Sequence, residues 1–195
     1  MMKHPGHPRL EHAERGPNAG RRSATFRLHR TQVVRADLNE VFGFFKSPYN
    51  LEAITPPWLA FRVLHATDAE VREGTRITYR LRLHGIPMRW ESRIAEYVEG
   101  ERFADEQLVG PYRHWYHRHL FRPVPGGVAI EDVVDYRLPF GALGRAAHAA
   151  FVRHELSRIF DHRARVIGER FDQRAPLERH ARSWHTSTDR ESPRP

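Results

Sequence analysis

The run Arg76-Ile77-Thr78-Tyr79-Arg80-Leu81-Arg82-Leu83, followed after Gly85-Ile86-Pro87 by Met88-Arg89-Trp90-Glu91-Ser92-Arg93-Ile94, decides the fold class. Successive side chains of a strand point to opposite faces, so residues two apart share a face. Ile77, Tyr79, Leu81 and Leu83 therefore form one apolar face, with Arg76, Thr78, Arg80 and Arg82 opposite. The second run repeats this, with Met88, Trp90, Ser92 and Ile94 on one side and Arg89, Glu91 and Arg93 on the other. A glycine–proline turn between two alternating runs predicts an antiparallel hairpin, dry on one face and wet on the other.

Working outward, Glu99-Gly100-Glu101 turns the chain into a strand over Arg102–Leu108, which Gly110-Pro111 ends. Tyr112–Phe121 and Val128–Tyr136 follow as strands joined through Pro123–Gly127, and Pro139–Gly144 is a loop. Upstream, Phe26–Val34 alternates as a strand. Asp37-Leu38-Asn39-Glu40 then has capping-box spacing, with Asp37 expected to accept from the third helical N–H. Val41, Phe42 and Phe45 give that short helix an apolar face. Ser47-Pro48 opens a second short helix, which Thr55-Pro56-Pro57 stops. The last element is a helix over Arg145–Phe171, where Val152, Leu156, Ile159, Phe160, Arg163 and Ile167 recur at three- and four-residue spacing. The fold class is α+β: a strand, two short helices, a meander, and one long helix laid across it.

Composition sets the boundaries. Of the 21 aromatic residues of this 195-residue chain, all but Trp184 lie between Phe26 and Phe171. Residues 1–24 and 172–195 are polar and rich in proline and arginine. Neither can bury enough apolar surface to offset the entropy of ordering, so both are expected to be disordered tails, the first of them basic. Residues 25–171 form the single domain. The net charge of +8 falls to +4 within it, and the basic side chains are arginines apart from Lys3 and Lys46. That charge is weak evidence for a nucleic-acid partner. The absence of cysteine excludes a disulfide framework, a thiolate nucleophile and cysteine-ligated metal sites. No apolar run reaches the roughly 20 residues a membrane span needs, and no apolar leader opens the chain. A cytoplasmic protein is expected.

The residues Phe44-Phe45, Asn50-Leu51, Ile54-Thr55-Pro56-Pro57-Trp58, Gly74, Trp90, Phe103-x-Asp105-x-Gln107, Gly110-Pro111-Tyr112, Trp115-x-His117-x-His119-x-Phe121, Asp132-x-Val134-x-Tyr136 and Leu138-Pro139-Phe140-Gly141 occur in that order. Together they resemble the SRPBCC superfamily, which includes START-like lipid carriers, polyketide cyclase/dehydrases and the birch-pollen-allergen fold. The resemblance is to its small bacterial ligand-binding branch and covers about residues 25–171. It implies a helix-grip fold, with a curved antiparallel sheet wrapped around the C-terminal helix and a deep apolar cavity between them. Members bind hydrophobic small molecules such as lipids, polyketides or aromatic metabolites, and a minority catalyse cyclisation or dehydration.

In such a fold the candidate cavity wall comprises Tyr79, Leu81, Met88, Trp90, Trp115, Tyr136, Val152, Leu156, Ile159 and Phe160, each of which is otherwise plain core. Asp105 and Gln107 are candidate polar contacts in an apolar pocket, or else face solvent beside Arg113 or Arg118. Trp115, His117, His119 and Phe121 share one face of their strand. The histidine pair reads as structural or ligand-orienting, as a general acid/base, or as two metal ligands at i and i+2 spacing. One hairpin register puts Asp132 of the next strand beside His119, where it either orients an imidazole or serves as a buried ion-pair partner. His117, His119 and Asp132 are accordingly the candidate catalytic residues. The resembled family is not generally metal-dependent, so neither a metal nor a cofactor is expected.

The basic stripe Arg76, Arg80, Arg82, Arg89 and Arg93 offers transient contact with an anionic surface. It lacks the interleaved aromatics of a single-strand nucleic-acid platform. The first functional expectation is a carrier or sensor that binds a hydrophobic molecule. The second is a cyclase or dehydratase using the cavity histidines. A third is an accessory domain for a sugar-nucleotide epimerase-like partner.

Overall fold

The computed structural model describes residues 25–140, 143, 146 and 151–172. Strand β1 (Phe26–Val34) leads into helix α1 (Leu38–Lys46), a 3-10 turn (Pro48–Asn50), helix α2 (Leu51–Ile54) and a second 3-10 turn (Pro57–Leu59). Six strands follow: β2 (Arg62–Ala66), β3 (Arg76–Leu83), β4 (Ile86–Val98), β5 (Arg102–Val109), β6 (His114–Val124) and β7 (Gly127–Arg137). Helix α3 (Arg153–Asp172) closes the described chain. The tails 1–24 and 173–195, and the expected helix start near Arg145, lie outside the described residues.

All seven strands join one antiparallel sheet in the order β1-β7-β6-β5-β4-β3-β2. The meander runs from β2 to β7, and β1 adds to β7. Register shifts between Glu91 and Ser92 and between Ile94 and Glu96 bend β4. Such bulges kink a strand and increase its twist, which curves the sheet toward α3. The alternation at 76–94 is realised directly: Ile77 pairs with Ser92, Tyr79 with Trp90 and Leu81 with Met88 on the inner face.

Three local expectations are corrected. The β3–β4 turn is His84-Gly85, both with positive φ (50° and 81°), while Ile86 and Pro87 already pair with β3. A two-residue turn of that hand matches the twist of flanking strands. Strand β2 was not expected, because only Val63 and Ala66 are half-buried in it and a register shift between Val63 and His65 breaks the period. At α1, the Asp37 carboxylate caps the amide of Asn39 at 2.8 Å, one residue earlier than a capping box places it.

One core cluster packs α1 and the end of α3 onto the sheet through Phe42, Ile94, Phe103, Phe121, Ile130, Ile167 and Phe171. A second, around Leu28, Val134, Tyr136, Leu156 and Phe160, lies under the first half of α3. Between them the sheet and helix stand apart.

Candidate functional site

The gap is a cavity of about 190 Å³, room for on the order of a dozen waters by the same measure. The inner faces of β3 and β4 supply Ile77, Tyr79, Leu81, Leu83, Met88, Trp90, Ser92 and Ile94. Strands β5 and β6 add Phe103, Asp105, Trp115, His117 and His119, and α3 adds Leu156, Ile159, Phe160 and Arg163. Aromatic rings form one wall: Tyr79 stacks on Trp90 at 5.9 Å, Trp90 meets Trp115 edge-on at 5.3 Å, and Tyr112 covers Trp115 at 4.8 Å. Edge-to-face and offset rings hold each other in defined orientations.

Strand register assembles the polar cluster. Asp105 of β5 lies opposite His117 of β6, and His119 lies opposite Asp132 of β7. Asp132 Oδ1 is 3.0 Å from His117 Nε2 and 2.8 Å from His119 Nδ1. Asp105 Oδ1 is 3.6 Å from His117 Nδ1 and 3.5 Å from His119 Nε2. From α3, Arg163 Nη2 reaches within 3.5 Å of Asp132 Oδ1 and 3.2 Å of His119 Nδ1. On the other flank, Ser92 donates to Asp105 Oδ2 at 3.4 Å and accepts from Trp90 Nε1 at 3.1 Å. The Tyr79 hydroxyl completes that chain, 3.2 Å from Ser92 Oγ.

These groups are buried, so each ionisation state depends on its neighbours. Burial pushes His117 down to about 4, and the charge of His119 pushes the same way against the pull of Asp132 and Asp105. His117 is therefore neutral near pH 7, its Nε2–H donating to Asp132. Burial opposes ionisation of Asp132, but Arg163 and the hydrogen bonds from both imidazoles outweigh it and hold the carboxyl well below its ordinary range. Asp105 behaves alike: burial is overcome by His119, His117 and Arg163, and its carboxyl is also lowered. Burial raises the Tyr79 phenol well above 10.

Of the residues expected at the site, Tyr79, Leu81, Met88, Trp90, Asp105, Trp115, His117, His119, Leu156, Ile159 and Phe160 line the cavity. Asp132 does not; it sits on the side of the imidazoles away from Asp105. Three others lie elsewhere. Gln107 turns to the β5–β6 loop, donating to the Tyr112 carbonyl at 2.7 Å and accepting the Tyr112 amide at 3.2 Å. Tyr136 and Val152 pack in the second core cluster and do not line the cavity. Sequence reasoning missed Phe45 and Tyr112 as lining residues, and above all Arg163. The signal for Arg163 was present: one arginine within the apolar stripe of α3. The arginines of the outer stripe are exposed, and Arg76 and Arg93 pair there with Glu91 and Glu106. No helix among the described residues is long and apolar enough to cross a membrane.

No protein-family model matches this chain, and no curated protein matches it. Solved structures do. The di-domain ARO/CYC StfQ from the steffimycin biosynthetic pathway superposes with a TM-score of 0.62 at 13% identity, over 78% of this chain and 52% of that one. This chain thus spans about half the length of that two-domain protein. Protein CV1439 from Chromobacterium violaceum gives 0.58 at 18% identity, over 76% and 96% of the two chains. Norcoclaurine synthase from Thalictrum flavum, whose structure is a point mutant with a transition-state analogue, gives 0.56 at 11%, over 76% and 98%. At these identities the likeness is one of fold, and it agrees with the strand order, the curved sheet and the long helix described above. The chain has the helix-grip fold of the SRPBCC, Bet v 1-like, proteins.

Proposed function

We propose that the protein binds a hydrophobic small molecule, flat and aromatic or polyketide-like, between the sheet and α3, as a carrier or sensor. One observation carries this reading: an aromatic-walled cavity whose acid and base side chains, Asp105, His117, His119 and Arg163, all belong to one connected cluster. Apolar walls supply affinity, and a few convergent polar groups set orientation. A ligand oxygen directed at the cluster fits both requirements. The test is native mass spectrometry of protein drawn from a cell extract, with anilinonaphthalene sulfonate fluorescence as a general probe. A bound organic species and a probe signal lost in Leu81→Trp are expected. A protein that carries nothing and binds no probe refutes the reading.

A second reading, an enzyme of the cyclase or dehydratase kind, is favoured by the way Asp132 holds both imidazoles while their opposite nitrogens face the cavity side. A carboxylate that orients a ring in this way prepares it for proton transfer. Here His117→Ala and His119→Ala would each abolish turnover of a polyketide-like substrate yet retain the probe. Undiminished turnover in both variants refutes it.

A further inference from the structure

We propose that Asp105, His117 and His119 ligate a divalent first-row transition-metal ion, with an open coordination position facing the apolar cavity. The inference goes beyond the binding reading and is independent of which organic molecule enters. One ligand atom from each of the three residues lies within 4.8 Å of the others. The separations carry the argument. His117 Nδ1 and His119 Nε2 stand 3.6 Å and 3.5 Å from Asp105 Oδ1, too far for charge-assisted hydrogen bonds of about 2.7–2.9 Å. Metal bonds of 2.0–2.1 Å at tetrahedral angles put neighbouring ligand atoms about 3.3–3.4 Å apart. The two contacts of Asp105 are close to tetrahedral edges.

The surroundings of the rings point the same way. His117 Nε2 donates to Asp132 Oδ1 at 3.0 Å, and His119 Nδ1 lies 2.8 Å from the same oxygen. His117, which donates from Nε2, then presents its Nδ1 lone pair toward the carboxylate of Asp105. Arg163 Nη2, which can only donate, lies 3.2 Å from His119 Nδ1 and 3.5 Å from Asp132 Oδ1, tying α3 to the cluster. A carboxylate holding the far nitrogen of each ligating imidazole is the usual outer shell of a histidine metal site. Two histidines and one carboxylate are N/O donors suited to zinc or ferrous iron.

Position favours it as well. The three ligands come from adjacent central strands in fixed register, and Phe103 and Phe160 shield the rings at 4.5 Å and 5.4 Å. The two histidines and Asp105 border the cavity, so the remaining coordination position is open to a ligand oxygen.

The experiment uses the full chain, stripped with a chelator and then titrated with Zn²⁺, Co²⁺ or anaerobic Fe²⁺ alone. Uptake of one ion with a Kd below about 1 μM and visible Co²⁺ bands of low-symmetry N/O coordination are expected. Asp105→Asn and His119→Gln, each checked for folding by circular dichroism, should lose at least about 100-fold in affinity, and Asp132→Asn about 10–100-fold. The tails carry histidines of their own, so ion binding undiminished in His117→Gln/His119→Gln overturns the proposal. So does a wild-type protein without the Co²⁺ bands, whatever the variants do. Metal uptake without any organic ligand leaves this inference standing while the cavity reading fails; probe binding without metal uptake does the reverse.

Discussion

Replacing Arg163 with methionine strips the buried cluster of its one guanidinium while keeping an unbranched side chain in the same space. Arg163 is 8% exposed and, among the described residues, is the one permanent cation beside Asp132. Leaving a buried carboxylate without its partner costs about 3–5 kcal/mol. The guanidinium also lies 5.2 Å from the Phe45 ring centre and 6.0 Å from that of Phe160, worth about 0.5–1 kcal/mol. Against this, Arg163 Nε is buried with no hydrogen-bond partner, and removing an unsatisfied group returns about 1–3 kcal/mol. The net expectation is a loss of about 3 kcal/mol. At about 2–4 °C per kcal/mol for a domain of this size, that lowers Tm by ~6–12 °C. Urea unfolding followed by tryptophan fluorescence, in chelator so that no metal contributes, measures the difference as a shift of midpoint at constant slope. Adding Asp132→Asn to Arg163→Met removes the stranded charge and should recover about 2 kcal/mol, a coupling only neighbours show. An Arg163→Met protein within 1 kcal/mol of wild type, or a double variant no better than the single, refutes the claim that this arginine balances the cluster.

Four further outcomes follow from particular contacts. Gly127→Ala puts a Cβ 1.9 Å from the Val34 carbonyl oxygen and 2.8 Å from its carbon; backbone must move, and stability should fall by about 3 kcal/mol in urea unfolding. Gln107→Ala removes both bonds that hold Tyr112, for about 2 kcal/mol of stability and a loosened cavity wall visible as faster amide exchange at Tyr112. Leu81→Trp fills the cavity from β3 and should weaken anilinonaphthalene sulfonate binding at least tenfold, about 1.4 kcal/mol, with Tm nearly unchanged. Asp68 is held below the ordinary carboxylate range first by the Thr75 hydroxyl and then by that of Thr67. Its folded value is depressed, so its stabilisation is present above the unfolded pKa of about 3.9 and is lost as pH falls through the folded value. Asp68→Asn should flatten the acid limb of stability against pH, and an unchanged limb contradicts the assignment.

The strand faces were legible because they are local. At 76–94 the period of two assigns every side chain to inside or outside before any partner strand is known. The same logic put His117 and His119 on one face. The long helix was legible from its apolar spacing. β2 was not, because an edge strand that buries only Val63 and Ala66 has no dry face to write into the sequence. Gln107 misled because face-sharing with Phe103 and Asp105 holds only while a strand stays flat, and the end of β5 turns toward Tyr112 instead.

Sequence alone thus determined the α+β class and which residues of β3, β4 and β6 face inward, since both follow from short-range periodicity. Tertiary structure decided the site. Bringing Asp105, His117, His119, Asp132 and Arg163 within 3.6 Å contacts needs two strand registers and the docking of α3. Those are pairings between segments up to 58 residues apart, from Asp105 to Arg163. No local pattern encodes such a distance; only the closed sheet and the helix laid against it set the separations on which the chemistry of the cluster depends.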